Sequence, residues 1–421
     1  MATSTQLRQR IATGEWDPKL RALYGNTEQE LCRQRARYCA ALEQFELYFG
    51  PGRQVQVYSA PGRAELGGNH TDHQHGYGLV AVAARNTDGY VRVKSRGFNK
   101  LDVIDLTVAG PQEGEGTHSA SLIRGIAEGF RAVGKKVGGF DAYTASDVLR
   151  GSGLSSSAAF EMGMAVIWNG EYDCGLAPTE LAKICQYAEN TYFGKPSGLL
   201  DQLTSAVGGI IFADFADPAS PQIEKIHTDG LLPPGMSLCV TDTRGSHSEL
   251  TSEFAAIRKE MEQVAGTLGK KVLGQVTESE FWAALPELRS KCGDRAVLRA
   301  IHYFEENTRT LAQRDALQAG KFAAFAALVL ESGRASFALC QNVYCSTDVR
   351  HQGLSVALAL SQCILQGSGA WRMQGGGFAG TIQAYVPRNL LERYHSEIER
   401  VFGAGSCYVL RLREQGAVRV G

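Results

Sequence analysis

Residues 151 to 161 read Gly-Ser-Gly-Leu-Ser-Ser-Ser-Ala-Ala-Phe-Glu, and good helix formers continue from Met162 to Trp168. A glycine-rich turn feeding a helix gathers free backbone N–H groups at the positive end of the helix dipole, which is chemistry for holding phosphate. The glycines let the backbone approach a bulky anion. The serine hydroxyls can bond phosphate oxygens or coordinate magnesium. Gly151, Ser152, Gly153, Leu154, Ser155, Ser156, Ser157 and Ala158 are therefore candidate phosphate-binding residues. No lysine follows the glycines, so this is not a Walker A loop. Taken alone, the stretch reads equally well as a serine-capped helix after a turn.

A second stretch, residues 60 to 76, is dense in hydrogen-bonding side chains: Arg63, Glu65, Asn69, His70, Asp72, His73 and His75. Convergent donors and acceptors suit a sugar, whose hydroxyls need both. A solvated surface turn is the plainer alternative. His73-x-His75 is weak as a metal motif on spacing alone. A further glycine cluster lies between Ala370 and Gly380.

These stretches need a scaffold, and the chain offers one. At 421 residues it can bury a large core, and its length favours two domains. Hydrophobic content of 44% and charged content of 21% are those of a globular protein. A net charge of -1 argues against a nucleic-acid or membrane-surface partner drawn by bulk charge, though not against a small basic anion site. Ten cysteines without a Cys-x-x-Cys pair or zinc-finger spacing read as reduced thiols of a cytoplasmic protein. No signal peptide is evident, and no apolar stretch approaches the roughly 20 residues of a membrane span.

Helices are expected over 27–49 (Thr27 and Glu30 form a capping-box pattern), 119–133, 178–192 and 199–207, and through most of 249–337. Strands are expected at 55–59, 79–84, 90–94, 101–108, 209–215, 238–243, 382–386 and 408–412, with one running out through 145–150 into the glycine loop. Residues 217 to 221 have the composition of a domain link. The mixture lacks a regular βαβ rhythm, so the expected class is α+β.

In order along the chain, three segments resemble the motifs of the GHMP small-molecule kinases, most closely the galactokinase family. They are Pro61-Gly62-Arg63 through His70-Thr71-Asp72, the Gly-Leu-Ser-Ser-Ser-Ala run at 153–158 with Glu161, and Arg372-Met373-x-Gly375-Gly376-Gly377-Phe378-x-Gly380. The resemblance implies a two-domain fold, 1–215 and 216–421, with the active site in the cleft between them. It implies ATP and Mg2+, a sugar as acceptor, and galactose 1-phosphate and ADP as products. Gly198-Leu199-Leu200-Asp201-Gln202 is similar to the segment that carries the family's catalytic aspartate, which maps to Asp201. Arg63 matches the arginine beside it, and Ser157 and Glu189 match the magnesium ligands. His70, Asp72, Asn69 and Phe254 match sugar-contacting positions, and adenine contacts are expected from the 85–125 region. A monomer is the default.

Four sugar-region positions depart from the family. Asn69 stands for Glu, Glu65 for Asn, His73 for Tyr, and Phe254 for Tyr. Motif two lacks its usual proline, Leu149 taking that place, and Arg150 adds a cation. An amide at 69 removes a negative charge near the sugar's C6. A C6 carboxylate would then meet no like charge, so galacturonate is an alternative substrate. A sugar sensor that binds without catalysing is a third reading, which the retained Arg63, Asp201 and Ser157-Ala158 disfavour.

Overall fold

The computed structural model describes residues 2–67, 78–148, 155–195, 197–215, 217, 221–226, 232–245 and 251–421. In chain order the first half supplies β1 (Ala2–Thr3), α1 (Ser4–Ala12), α2 (Asp17–Tyr24), α3 (Glu28–Phe49), β2 (Gln54–Pro61), β3 (Gly78–Arg85), β4 (Tyr90–Ser95), β5 (Leu101–Asp105), α4 (Ser119–Ala132), β6 (Phe140–Ser146), α5 (Ser156–Glu171), α6 (Pro178–Ala188), α7 (Leu200–Val207) and β7 (Ile210–Asp214). The rest supplies β8 (Gln222–Ile226), β9 (Met236–Asp242), α8 (Thr251–Thr267), α9 (Glu278–Ala283), α10 (Leu285–Cys292), α11 (Asp294–Gln318), α12 (Phe322–Ala335), α13 (Gly353–Leu365), β10 (Ala370–Gln374), β11 (Thr381–Pro387), α14 (Arg388–Phe402), β12 (Cys407–Leu410) and β13 (Val418–Arg419).

Two main sheets carry the fold. The first has the order β1-β2-β3-β6-β4-β5, with β13 also on β2. Its pairings are antiparallel except β4 with β6, and its register sets Val57 opposite Val82 and Val82 opposite Tyr143. Side chains alternate between faces along a strand. Val55, Val57, Val80, Val82 and Tyr143 thus face α1 to α3, where Leu7, Trp16, Tyr38 and Phe45 cover them. Their neighbours Tyr58, Ala60, Leu79, Ala81 and Ala142 face α4 to α7 in the main core. The second sheet, β10-β11-β9-β12, is wholly antiparallel. Leu238, Val240 and Tyr385 of that sheet, with Phe325 and Val329 of α12, belong to the same buried cluster as Leu79 and Leu203, so one core runs through both sheets.

The mixed class expected from the sequence is the one observed. Differences are local. The strand before the glycine loop ends at Ser146, and β5 stops at Asp105 where Asp105 turns back to bond Thr107. Helix α6 ends at Ala188 and widens into a π turn over Glu189–Phe193. The box at the start of α3 is half formed: Thr27 accepts from the Glu30 N–H, but the Glu30 carboxylate turns to Arg33 and Gln34. Two features cross the expected boundary at 215/216. The stretch taken as a link joins the two antiparallel strands β7 and β8, and β13 returns to the first sheet. Among the described residues one helix is, by length and composition, apolar enough to cross a membrane, where none was expected: Phe322–Cys340. It carries Glu331 and Arg334 and packs on α11 and β10.

Candidate active site

Arg63 follows β2 in an irregular segment and is buried. Its Nε donates to Asp201 Oδ1 at 2.8 Å. Asp201 lies in the first turn of α7, where the helix dipole favours a negative charge. That helix is fastened to the end of β2 by Ser205, whose hydroxyl donates to the Pro61 carbonyl at 2.6 Å. The arginine and the carboxylate are thus set by two elements bonded to each other. Asp201 is neither a helix cap, since Leu199 occupies that position, nor a surface carboxylate: its side chain is a quarter exposed.

Ser155 completes the triangle. Its backbone sits at φ 50°, in the left-handed region that residues other than glycine seldom adopt. The side chain makes no cap to α5; its hydroxyl donates to Asp201 Oδ2 instead. The helix start is therefore not the serine-capped one that was the bland alternative, and the serine that would cap it binds the carboxylate. Burial pushes the Asp201 carboxyl up, but the Arg63 charge, the Ser155 hydrogen bond and Lys195 outweigh it and hold the group below its ordinary range. Asp201 is ionised at neutral pH, with one face of each oxygen engaged. Ser156 and Ser157 are half-buried in the first turn of α5, and Ala158 is buried behind them.

Glu189 is buried at the start of the π turn, not exposed on a helix. Close packing of α4 on α6 fixes it: a Cβ on Gly125 would lie 2.8 Å from that of Ala188. Lys195 Nζ donates to Glu189 Oε1 at 2.7 Å, and Ser197 Oγ and Gln202 Nε2 (2.8 Å) donate to Oε2. The Gln202 amide also donates to Glu161 Oε2 at 2.9 Å. Glu161 is fully buried; burial first, then the like charge of Glu189, push its pKa to about 8, so it is protonated at neutral pH. Lys195, Gln202 and Glu161 were not singled out as site residues. Gln202 directly follows Asp201, the signal that would have found it.

The third glycine segment follows β10. Gly375, Gly377, Phe378 and Gly380 all have positive φ. At Gly377 a side chain is impossible, since a Cβ would stand 2.0 Å from the Asn342 carbonyl oxygen. Phe254 of α8 packs edge-to-face on Phe378, ring centroids 5.4 Å apart, and lies over Gly376. Glu65, two residues beyond Arg63, forms an ion pair with Arg372 of β10, both side chains fully buried. Arg372 also donates to Ser332 Oγ at 3.1 Å and lies 3.8 Å from Glu306. The segment after β2 is therefore tied to α7 on one side and to the third glycine segment on the other. Asn69, His70 and Asp72, and Gly151, Ser152, Gly153 and Leu154, lie outside the described residues, as does Arg150.

Residues 121–209 match the GHMP kinases N terminal domain, and residues 43–93 match the galactokinase galactose-binding signature. A galactokinase of Streptomyces coelicolor is 32% identical over 371 residues, 85% of this chain and 91% of that protein. The chain belongs to the galactokinase family. Another member, from Glaesserella parasuis, is 30% identical over 83% of this chain and 89% of its own length. Among solved structures, Lactococcus lactis galactokinase complexed with galactose superposes with a TM-score of 0.74 at 24% identity, covering 90% of this chain and 98% of that one. A mevalonate kinase superposes at 0.56 and 14% identity, covering 85% and 98%, which places the wider GHMP fold in both.

Proposed function

We propose that this galactokinase-family chain transfers the γ-phosphate of ATP to the anomeric hydroxyl of galactose, giving galactose 1-phosphate and ADP. The observation that carries the reading is the ionised Asp201 carboxylate held between Arg63 and Ser155 at the start of α5. Phosphoryl transfer needs positioning and charge stabilisation more than covalent chemistry from the protein. Asp201 accepts the proton of the C1 hydroxyl as its oxygen attacks phosphorus. Arg63 stabilises charge on the transferring group. The N-terminal turn of α5, with Ser155 to Ala158, receives the phosphates, and Gly151 to Leu154 complete the cradle. His70, Asp72, Asn69 and Phe254 take the sugar.

A magnesium ion would be held by Ser157 and by Glu189, the latter on giving up one of the donors that now engage its two oxygens. Ser157 and Glu189 offer oxygen donors, and magnesium commonly takes one or two protein oxygens with phosphate and water. Among the described residues no cluster of three His, Cys, Asp or Glu side chains competes as a site. When bound, magnesium would neutralise phosphate charge, and Glu189 would share it with Lys195. Ten free cysteines support an intracellular setting, and we propose a monomer.

A galacturonate kinase is the second reading, favoured by Asn69 where the family has Glu. A coupled assay with Mg-ATP and a sugar panel decides. Galactose giving the highest kcat/KM supports the first reading, a C6 acid the second, and tight sugar binding without turnover a sensor. Asn69→Glu should raise the ratio of galactose to C6-acid kcat/KM; an unchanged ratio removes Asn69 from C6.

A further inference from the structure

The first sheet has a second polar site on the face away from the proposed chemistry. Ser155 and Asp201 belong to α5 and α7, whose apolar side chains pack in the main core. On the opposite face α3 lies over β3 and β6. There, a cavity of about 540 Å³ opens between α3, β6 and the end of β4, lined by Arg33, Arg37, Gln44, Arg96, Tyr143 and Asp147 among others. That volume is in the range of small-molecule sites.

Three guanidinium groups meet one carboxylate in this cavity. Asp147 takes Arg96 at 2.7 Å, Arg37 at 3.1 Å and Arg33 at 3.4 Å. Arg33 is also held bidentately by Glu30, its Nε at 3.0 Å and its Nη2 at 2.7 Å, so with both carboxylates counted the cluster carries +1. Arg37 is held rigidly: its side chain is 6% exposed, and it donates to the Gly78 and Ala145 carbonyls and to Gln34. Only Nη2 of Arg96 is engaged, by Ser146 O and Asp147, which leaves its Nε and Nη1 without partners among the described residues. A second cavity of about 260 Å³ shares Arg33 and Arg37 and adds Arg411 and Arg413, with Glu30 as the carboxylate in its lining. Arg411 and Arg413 bond carbonyl and hydroxyl oxygens, not carboxylates, so the positive excess extends into it. Across both cavities five arginines face two carboxylates, Asp147 and Glu30, and an anion would relieve the repulsion of that positive excess.

We propose that this cavity binds a small polyanion of the phosphate class, such as pyrophosphate or a phosphate ester, at a site separate from that for ATP and sugar. The Nε and Nη1 of Arg96 can donate to phosphate oxygens, while the fixed charge of Arg37 adds attraction without an ordering cost. Position gives the site a consequence. Asp147 stands two residues before the 149–154 stretch, and Arg37 holds Gly78, the first residue of β3 after the 60–76 stretch. An anion that takes Arg33 and Arg96 from Asp147 alters how both motifs are tethered. This coupling rests on the proposed function; the binding does not.

The test is calorimetric titration of the full chain with pyrophosphate, with ADP and galactose saturating so that the phosphoryl-transfer site is filled. Expected is one binding event, weakened at least tenfold by Arg33→Ala/Arg96→Ala, both half-exposed positions. Gln44→Glu adds a negative charge to the lining and leaves the Asp147 anchors in place; it should weaken binding by a similar factor. No binding event with the other site filled, or equal binding by wild type and both variants, overturns the proposal. Turnover measured without pyrophosphate reports on the kinase reading and does not enter.

Discussion

Glu65 is the departure from the family pattern with the most to answer for, and restoring the family residue tests its role. Glu65→Asn shortens the side chain by one methylene and removes its charge. Both members of the Glu65–Arg372 pair are fully buried. Removing one partner of such a pair costs about 3–5 kcal/mol, because the other charge stays buried without compensation. Here Arg372 keeps Ser332 Oγ at 3.1 Å, the Met373 carbonyl at 3.0 Å and Glu306 at 3.8 Å. The loss should therefore fall near the lower end, about 3 kcal/mol. The assay is the thermal midpoint of wild type, Glu65→Asn, Arg372→Met and the double variant. Glu65→Asn should lower the midpoint by several degrees, and the double variant should lose less than the two singles together. The KM for sugar should rise more than the KM for ATP, because Glu65 holds the segment leading to Asn69. A midpoint within a degree of wild type, or strictly additive losses, would refute the argument that this pair ties the sugar segment to the third glycine segment.

Ser155→Ala removes a hydrogen bond that lowers the Asp201 pKa. A base works only when deprotonated, so activity falls as pH drops through that pKa. The acid limb of the kcat/KM profile should move to higher pH in Ser155→Ala; an unmoved limb would separate Ser155 from Asp201. Glu161 has its folded pKa raised to about 8, above the unfolded 4.5, first by burial and then by Glu189. Its neutral form is the one the fold accepts, so stability is fully present below the unfolded pKa and is lost as pH rises toward 8. Glu161→Gln should flatten the fall in thermal midpoint between pH 5 and 8, measured in EDTA; a fall as steep as that of wild type would contradict it.

Much of this was legible in the residues. The strands β2 and β3 lie where the residues place them, and the glycine-serine run leads into a helix, α5, as its composition announced. Asp201 and Arg63, 138 positions apart, meet as the motif resemblance implied. What was not legible arises from tertiary packing. Nothing local marks Ser155 for a left-handed backbone, which in the structure accompanies its hydrogen bond to Asp201. Glu161 looks like any helical glutamate until burial beside Glu189 protonates it. The Glu65–Arg372 pair spans 307 positions and joins two motifs that the sequence displays separately. The break at Glu189 was read as continuing helix because a π turn has no strong composition of its own. The arginines at 33 and 37 lie on α3 and Arg96 follows β4; they look like ordinary surface charge until the end of β6 brings Asp147 among them.

Asp201→Asn addresses the central claim most directly, because the amide keeps the shape and cannot accept a proton. With Mg-ATP and the best sugar of the panel, kcat should fall by a factor on the order of 10² to 10⁴, while the dissociation constant for the sugar stays within a few-fold of wild type. A variant that turns over at close to the wild-type rate would contradict the account.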